Sequence, residues 1–598
     1  MLNPNNDRLN YGGILYPPMN FKLDFAIGTT YSLDLDALVG SSISLGLSQE
    51  TDSNLKDNPI FLLEALRSTG DKIALFCEKG RIRLPNNPTQ LYILLEDMVF
   101  QVDNPKQIKD KYASFHPKFW LLRFTDDNEN ILYKLIVLSR NLTFDRSWDI
   151  SFSMNGEKID EKTNKNEPIS KFIEFLMEYS TNDEKTNKMK KIVEELSYIK
   201  FDLDSKIFDD FEFIINGLDE KYSIQNYPLF KDNWDGLFIM SPFLSKTVIK
   251  GFNERKNKNS KAILLSRYNS LENLKPEDCD NFEIYSLKNE IIDGEDLISE
   301  GVGENLKQDI HAKLYLMEKD EDSDLYLGSL NASHNALFGN IELMIKLHAK
   351  KKKFNIKKLT EDIFNGENDG SENPFQIVDI GNIIVNPGSK SNIDLIIKKI
   401  VRLNLVANVI SKGENYNIEL NALNFNENEY GDYKIQINPL LSSEIVDFSK
   451  NMIFEDLTKI QLSEFFVLTI SLGEDSIRRI IKVPTTGMPD DRQNDVISSI
   501  INDETAFIIY LAFLLGDDYI INSVLGGGYD TIKDKIKKGI LRLPELYEKM
   551  LRAALYAPEK FIEIDFLINT LSGDNVIPEG FEELYNTFLK VVDLNGGD

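Results

Sequence analysis

His116 and Lys118 in the stretch SFHPKFWLLRF, and His311 and Lys313 in DIHAKLYLMEK, set an imidazole two residues ahead of an ammonium at the head of an apolar, alternating run. They use two of the four histidines in 598 residues. Each pair is followed by an acidic tip, TDDNEN or EKDEDS, and by a second apolar run that ends in Ser-x-Asn: Ser139 and Asn141 in LSRNLT, Ser329 and Asn331 in GSLNAS. Residues two apart on a strand share a face. The spacing therefore predicts His and Lys on one side of a strand, with Asn reachable from the hairpin partner. Such a set matches the needs of a phosphodiester. A neutral imidazole attacks phosphorus and forms a phosphohistidine, splitting one hard step into two. A protonated imidazole donates to the leaving oxygen and then activates water. Two lysines and two asparagines stabilise the charged oxygens of five-coordinate phosphorus. The set calls for no metal or other cofactor: Cys77 and Cys279 stand alone, and the histidines lie outside carboxylate clusters with ligand spacing.

Two similar successions of elements must position these residues, a diverged internal repeat. The first runs FKLDFAIGTTYSL, DLDALVGSSISLGL, KIALFC, MVFQV, the first His-x-Lys strand and YKLIVLSRNL. The second runs WDGLFIMSPFL, SKTVIKGFNE, KAILLSR, FEIYSL, the second His-x-Lys strand and DLYLGSLNAS. Alternation of β-prone segments with helical ones predicts an α/β fold of two similar sheet-plus-helix lobes. The expected boundaries are lobe one at 1–165, a helical linker at 166–220, lobe two at 221–360, a β-rich accessory domain at 375–490 and a C-terminal helical domain at 491–598. NGENDGSENP marks the turn-rich boundary before the accessory domain.

A chain this long divides into several cores. Its net charge of −28 excludes a globally basic nucleic-acid coat but leaves room for a local positive cleft. Two lone cysteines fit a reducing compartment, and MLNPNNDRLNYGG lacks the pattern of a secretory signal. The apolar run Ala506 to Leu515 is too short to span a bilayer and reads as a buried helix. A cytoplasmic location without a membrane partner is the expectation.

The pair HPKFW…SRNLT and HAKLY…GSLNASHNALFGNIEL resembles the phospholipase D superfamily, in particular its bacterial nuclease-like members, which include components of anti-phage defence loci. The resemblance runs from about residue 20 to about residue 350. It implies a two-lobed phospholipase D-like core with both motifs at one site. His116 and His311 would be nucleophile and acid, and Lys118, Lys313, Asn141 and Asn331 would bind phosphate. Glu342 matches the family's carboxylate that orients a histidine across the interface, a role that sets the ring's tautomer. Lobe one offers only Asp149, one register off, as its counterpart. The family's aspartate five residues after the lysine is replaced here by Arg123 and Glu318. Tyrosyl-DNA phosphodiesterases lack that aspartate too, so its loss weakens phospholipase activity rather than catalysis.

Outside the repeat, Arg81 and Arg83 in EKGRIRLP are candidates to clamp phosphate. Lys350, Lys351, Lys352 and Lys353 could track a phosphate backbone. Surface roles compete at both places. Trp148 is a candidate for stacking on a base, while Trp120 reads as core. His334 reads as lining the site and His348 as a surface residue. The resulting expectation is a metal-independent nuclease that favours DNA, with accessory domains for a helicase or other ATPase of a defence system. A phospholipid hydrolase or transferase, and an inactive nucleic-acid-binding or scaffold subunit, are the alternatives. RNA remains open, because this chemistry attacks phosphorus and leaves the sugar unread. Both motifs lie in one chain, so catalysis sets no oligomeric state.

Overall fold

The computed structural model describes residues 11–47, 58–104, 106–108, 111–145, 147–288, 309–364, 373–383, 393–516, 546–558, 560–573 and 576–595. Most of the NGENDGSENP boundary, 365–372, lies outside the described residues.

The chain is a mixed α/β protein with several sheets. The first large sheet has seven strands in the order Ile199–Asp202, Ser151–Lys158, Ile131–Leu138, Phe119–Thr125, Lys22–Thr30, Ile73–Glu78, Val99–Val102. The second has eight: Asp210–Asn216, Glu342–Lys350, Asp322–Gly328, Leu314–Lys319, Trp234–Met240, Lys256–Leu265, Phe282–Leu287 and Phe375–Ile377. Strand by strand, the first seven positions correspond. In each sheet three parallel strands adjoin an antiparallel group begun by the strand that follows the His-x-Lys segment. The span 166–220 holds the helices Glu167–Met177 and Asp183–Leu196, and also an edge strand for each sheet. Those strands, IKFD and DFEFIIN, are short alternating runs that helical periodicity in the preceding residues overshadows.

One face of each sheet meets the other. Phe25, Ile27, Phe119 and Leu121 share a core with Phe238, Met240, Leu314 and Leu316. The outer face of the first sheet, with Trp120 and Leu122, packs on the helices Leu35–Leu47 and Pro59–Thr69. The outer face of the second packs on Lys246–Glu254. Strands covered on both sides must be apolar throughout, which is why SFHPKFWLLRF reads as core along its length.

The later β segments form a six-stranded and a four-stranded sheet around a separate core. Two short strands of the N-terminal part, Leu33–Asp34 and Ile82–Arg83, complete the six-stranded sheet beside Asp475–Lys482. The C-terminal helices share the core of Pro59–Thr69. Glu504–Leu514 is buried there, with Tyr510 accepting a 2.7 Å hydrogen bond from Arg67. Among the described residues no single helix is long and apolar enough to cross a membrane. The pair Arg492–Ile500 and Glu504–Leu514 would be by length and composition, but it is bent by 109°.

Candidate active site

His116 and Lys118 precede the strand Phe119–Thr125 instead of lying in it, and His311 and Lys313 likewise precede Leu314–Lys319. The reason is tertiary: each approach segment pairs with the opposite sheet's chain. His116 N donates to Ile341 O at 2.9 Å and Ile341 N to Ser114 O at 3.0 Å. Ser147–Trp148 pairs in parallel with Asp309–Ile310, and the amides of His311 and Ala312 both donate to Trp148 O, at 2.9 and 2.7 Å. Each histidine therefore arrives beside the residue that follows its backbone partner. That residue is Glu342 in one case and Asp149 in the other.

The side chains complete the exchange. His116 Nδ1 lies 2.9 Å from Glu342 Oε2, and His311 Nδ1 lies 3.0 Å from Asp149 Oδ1. Ser329 donates to Glu342 Oε2, and Asn340 donates to Oε1 at 3.0 Å. Ser139 donates to Asp149 Oδ1 at 2.8 Å. The serines also accept from the chain, Ser139 from Ile150 N at 2.9 Å and Ser329 from Leu343 N at 3.0 Å. Gly328, at φ +150°, lets this turn form, because a Cβ there would sit 2.4 Å from Leu343 O. With the carboxylate oxygens acting as acceptors, each Nδ1 carries the ring proton and each Nε2 keeps its lone pair.

Lys118 and Lys313 are fully buried. Lys118 Nζ donates to His116 O at 2.9 Å; Lys313 Nζ donates to His311 O and, across the seam, to Ser139 O at 3.4 Å. Neither makes an ion pair with a described residue. Burial pulls Lys118 down to about 7 against the pull of Glu342 and Asp149. Burial and Lys118 hold Lys313 well below its ordinary value. Burial lowers His116 to about 4, opposed by Glu342 and reinforced by Lys118 and Lys313. Burial and then Lys313 lower His311 to about 3 against Asp149. Asp149 is pushed up by burial, but the hydrogen bonds from His311 and Ser139 and the charge of Lys313 outweigh this and leave it below the usual range. The two motifs thus form one electrostatic unit. Asn141 and Asn331 follow the serines, and their buried Oδ1 atoms have no hydrogen-bond partner among the described residues.

Other candidates are placed differently. Arg123 and Glu318 serve the sheets. Arg123 binds Glu195 through Nε and Nη2, at 2.8 and 2.9 Å, and Asp24 at 2.6 Å; Glu318 accepts from Ile356 N at 2.6 Å and pairs with Lys351 at 2.9 Å. Removing one partner of a buried network leaves the others' charges stranded. Arg123→Leu is expected to lower stability by about 3 kcal/mol in denaturant unfolding, with kcat of the remaining folded protein unchanged. Lys350, Lys351 and Lys353 pair with Asp322, Glu318 and Asp209, at the end of Glu342–Lys350 away from Glu342; Lys352 lies in the turn beyond. His348 lies there too, 2.7 Å from Asp324. His334 packs on Phe338. Trp120 is buried and donates to Tyr11, while the Trp148 ring meets Phe375 edge-on.

Arg83 forms a bidentate pair with Asp145, and Arg81 pairs with Asp394 at 2.8 Å while lying 5.3 Å from the centre of the Tyr31 ring. Tyr31 is 5.1 Å, ring to ring, from His116. At the other histidine, Arg267 Nε donates to Ile310 O at 2.6 Å and lies 5.2 Å from the ring of Phe243, which is 47% exposed. Spacing gave no signal for Tyr31, Phe243, Arg267 or Asn340. A signal lay only in the places of Tyr31 and Phe243 after one pair of equivalent strands, and of Arg81 and Arg267 after the next; Asn340 had none.

No family model and no curated protein matches the chain. Among solved structures it is similar to the yeast tyrosyl-DNA phosphodiesterase, at 14% identity over 57% of this chain and 85% of that one, with a TM-score of 0.33. It is similar to the polyphosphate kinase of Porphyromonas gingivalis at 10% identity, over 56% and 44% of the two chains, with a TM-score of 0.29. For the phosphatidylserine synthase of Haemophilus influenzae the figures are 10%, 64%, 88% and 0.32.

Proposed function

We propose that the seam is the active site of a phosphodiesterase that cleaves nucleic acid, DNA in preference, through a phosphohistidine. One observation carries the reading: two buried lysines without a carboxylate partner among the described residues flank two imidazoles, each fixed at Nδ1 by a carboxylate from the opposite lobe's chain. A phosphodiester supplies the negative charge that two buried ammonium groups lack.

His116 is assigned as the nucleophile. Its Nε2 attacks phosphorus while the P–O bond to the leaving group breaks, and His311 gives that oxygen a proton. Water, deprotonated by His311, then displaces His116. Glu342 divides its charge among three donors, whereas the buried Asp149 Oδ2 has no hydrogen-bond partner among the described residues, leaving Asp149 the better support for an imidazolium. Lys118, Lys313, Asn141 and Asn331 hold the non-bridging oxygens. Cleavage of labelled DNA by the wild type in excess chelator, lost in His116→Ala and His311→Ala, is the expected result. Turnover of phospholipid vesicles without oligonucleotide cleavage would instead favour a phospholipid enzyme, and binding without turnover an inactive scaffold. A role in anti-phage defence beside a helicase or ATPase belongs to the same proposal and rests on the sequence resemblance.

The lowered proton affinities have a measurable consequence. Near pH 7 the free seam holds neutral imidazoles and incompletely protonated lysines, and an arriving phosphate favours protonation of the lysines and of the acid, His311. Binding of inorganic phosphate is expected to take up at least one proton at pH 7, read by calorimetry in buffers of different ionisation enthalpy. Affinity should then rise about tenfold for each unit of falling pH near neutrality. Stability has its own window. The folded pKa of His116, about 4, lies below the ordinary value. The unfolded chain therefore binds the proton first, and this contribution declines as pH falls from about 6.5 through the folded value.

A further inference from the structure

Three guanidinium groups, of Arg81, Arg83 and Arg479, lie close to one another, and Arg81 faces Tyr31, whose ring packs on His116; the chemistry above uses none of them. Arg83 follows Ile82 on a two-residue strand that Arg81 immediately precedes, and the strand's antiparallel partner, Asp475–Lys482, meets it at Ile480. That register sets Arg479 opposite Arg83, with Ile82 and Ile480 buried on the other face. Like charges directly opposite on neighbouring strands destabilise a sheet. Arg83 has Asp145 and Arg81 has Asp394. Arg479, half-buried, makes no ion pair with a described residue and donates to the carbonyl of its neighbour Arg478 at 2.9 Å. Burial, with Arg81 and Arg83, pulls it below its usual value, and Tyr31 feels its charge. The cluster reaches one catalytic ring through Tyr31, which lies 5.3 Å from Arg81 and 5.1 Å from the His116 ring.

We propose that Arg479, carried by the later β domain, joins Arg81 and Arg83 to bind a second phosphate of the substrate, adjacent to the one gripped by Lys118 and Lys313. The inference rests on the phosphodiesterase reading and deepens it: the substrate is a chain of phosphodiesters, and the accessory sheet completes its binding site. A guanidinium offers a planar fork that fits two phosphate oxygens, and each phosphate neutralised releases condensed counterions. The corresponding corner beside His311 has Arg267 and the exposed ring of Phe243. The two ends of the seam are alike in catalytic atoms and differ in what they offer a long substrate.

The test compares two p-nitrophenyl esters, one of thymidine 5′-phosphate and one of an oligothymidylate, which differ in the number of phosphates beyond the scissile one. The quantity read is kcat/KM for the oligonucleotide divided by that for the mononucleotide. Arg479→Gln is expected to lower this ratio at least tenfold through KM, with partial recovery in Arg479→Lys. Arg478→Gln, exposed on the alternate face, should leave it alone. An unchanged ratio in Arg479→Gln, or an equal loss on both esters, overturns the proposal. Calorimetric titration with inorganic pyrophosphate reads the anion site without turnover. If neither ester is cleaved, the phosphodiesterase reading fails. The titration then decides alone: a Kd at least tenfold weaker in Arg479→Gln supports the site, and an equal Kd removes it.

Discussion

With a p-nitrophenyl phosphodiester, His116→Ala is expected to lose turnover by about 10⁴-fold or more, while His311→Ala releases one nitrophenolate per protein and then stalls. Nitrophenolate leaves without a proton, so the first step needs only the nucleophile. The second step needs a base to deprotonate water, and without His311 the phosphohistidine accumulates. For an alkoxide leaving group the first step also needs the acid, and the same variant should fall by about 10²–10⁴-fold with no burst. Intact-protein mass spectrometry should find the adduct in His311→Ala and trace it to His116. An adduct on His311 in His116→Ala would exchange the two roles and show that the unpartnered Asp149 Oδ2 does not decide them. Absence of an adduct in both variants would rule out covalent catalysis here.

The second large effect sets activity against stability. Lys118→Met and Lys313→Met are each expected to lose about 10²–10³-fold in kcat and yet to unfold at a higher temperature. Both lysines are fully buried; their ammonium groups donate to carbonyl oxygens, Lys118 also lies 5.8 Å from the centre of the Tyr31 ring, and neither meets a carboxylate among the described residues. An apolar side chain of similar length removes the cost of desolvating an unpaired charge. Stored cost of this kind belongs at a site whose ligand removes it. Phosphate should raise the melting temperature of the wild type and not of the variants. A lower melting temperature in either variant would mean that the lysine chiefly ties its own histidine segment to the sheet. For Lys313 the tie to Ser139 O across the seam is the one to examine.

Several parts of this arrangement could be read from residues alone. The repeat was visible because each strand, hairpin tip and Ser-x-Asn turn recurs in order, and the two large sheets repeat that order position by position. The length of the strands and their apolar character followed from being covered on both faces. The later β strands were readable as alternating runs, but their pairing in one sheet with Ile82–Arg83 and Leu33–Asp34 from the N-terminal part was not. Two-residue strands carry no periodicity to detect.

Sequence by itself determined the chemical set: two imidazoles, two ammonium groups, two serines and two amides, in equivalent places. Tertiary structure decided which carboxylate meets which ring. Glu342 and Asp149 are far from their histidines along the chain, and they arrive through backbone pairing at Ile341 and Trp148. Only that pairing takes the histidines out of the strands and into the seam. Burial likewise lowers the rings and lysines, and burial belongs to the fold rather than to any local pattern. The placement of Arg479 beside Arg83 depends on one cross-strand register between segments almost four hundred residues apart. Local spacing states which groups a reaction could use; long-range hydrogen bonding and desolvation fix their partners, protonation and neighbours.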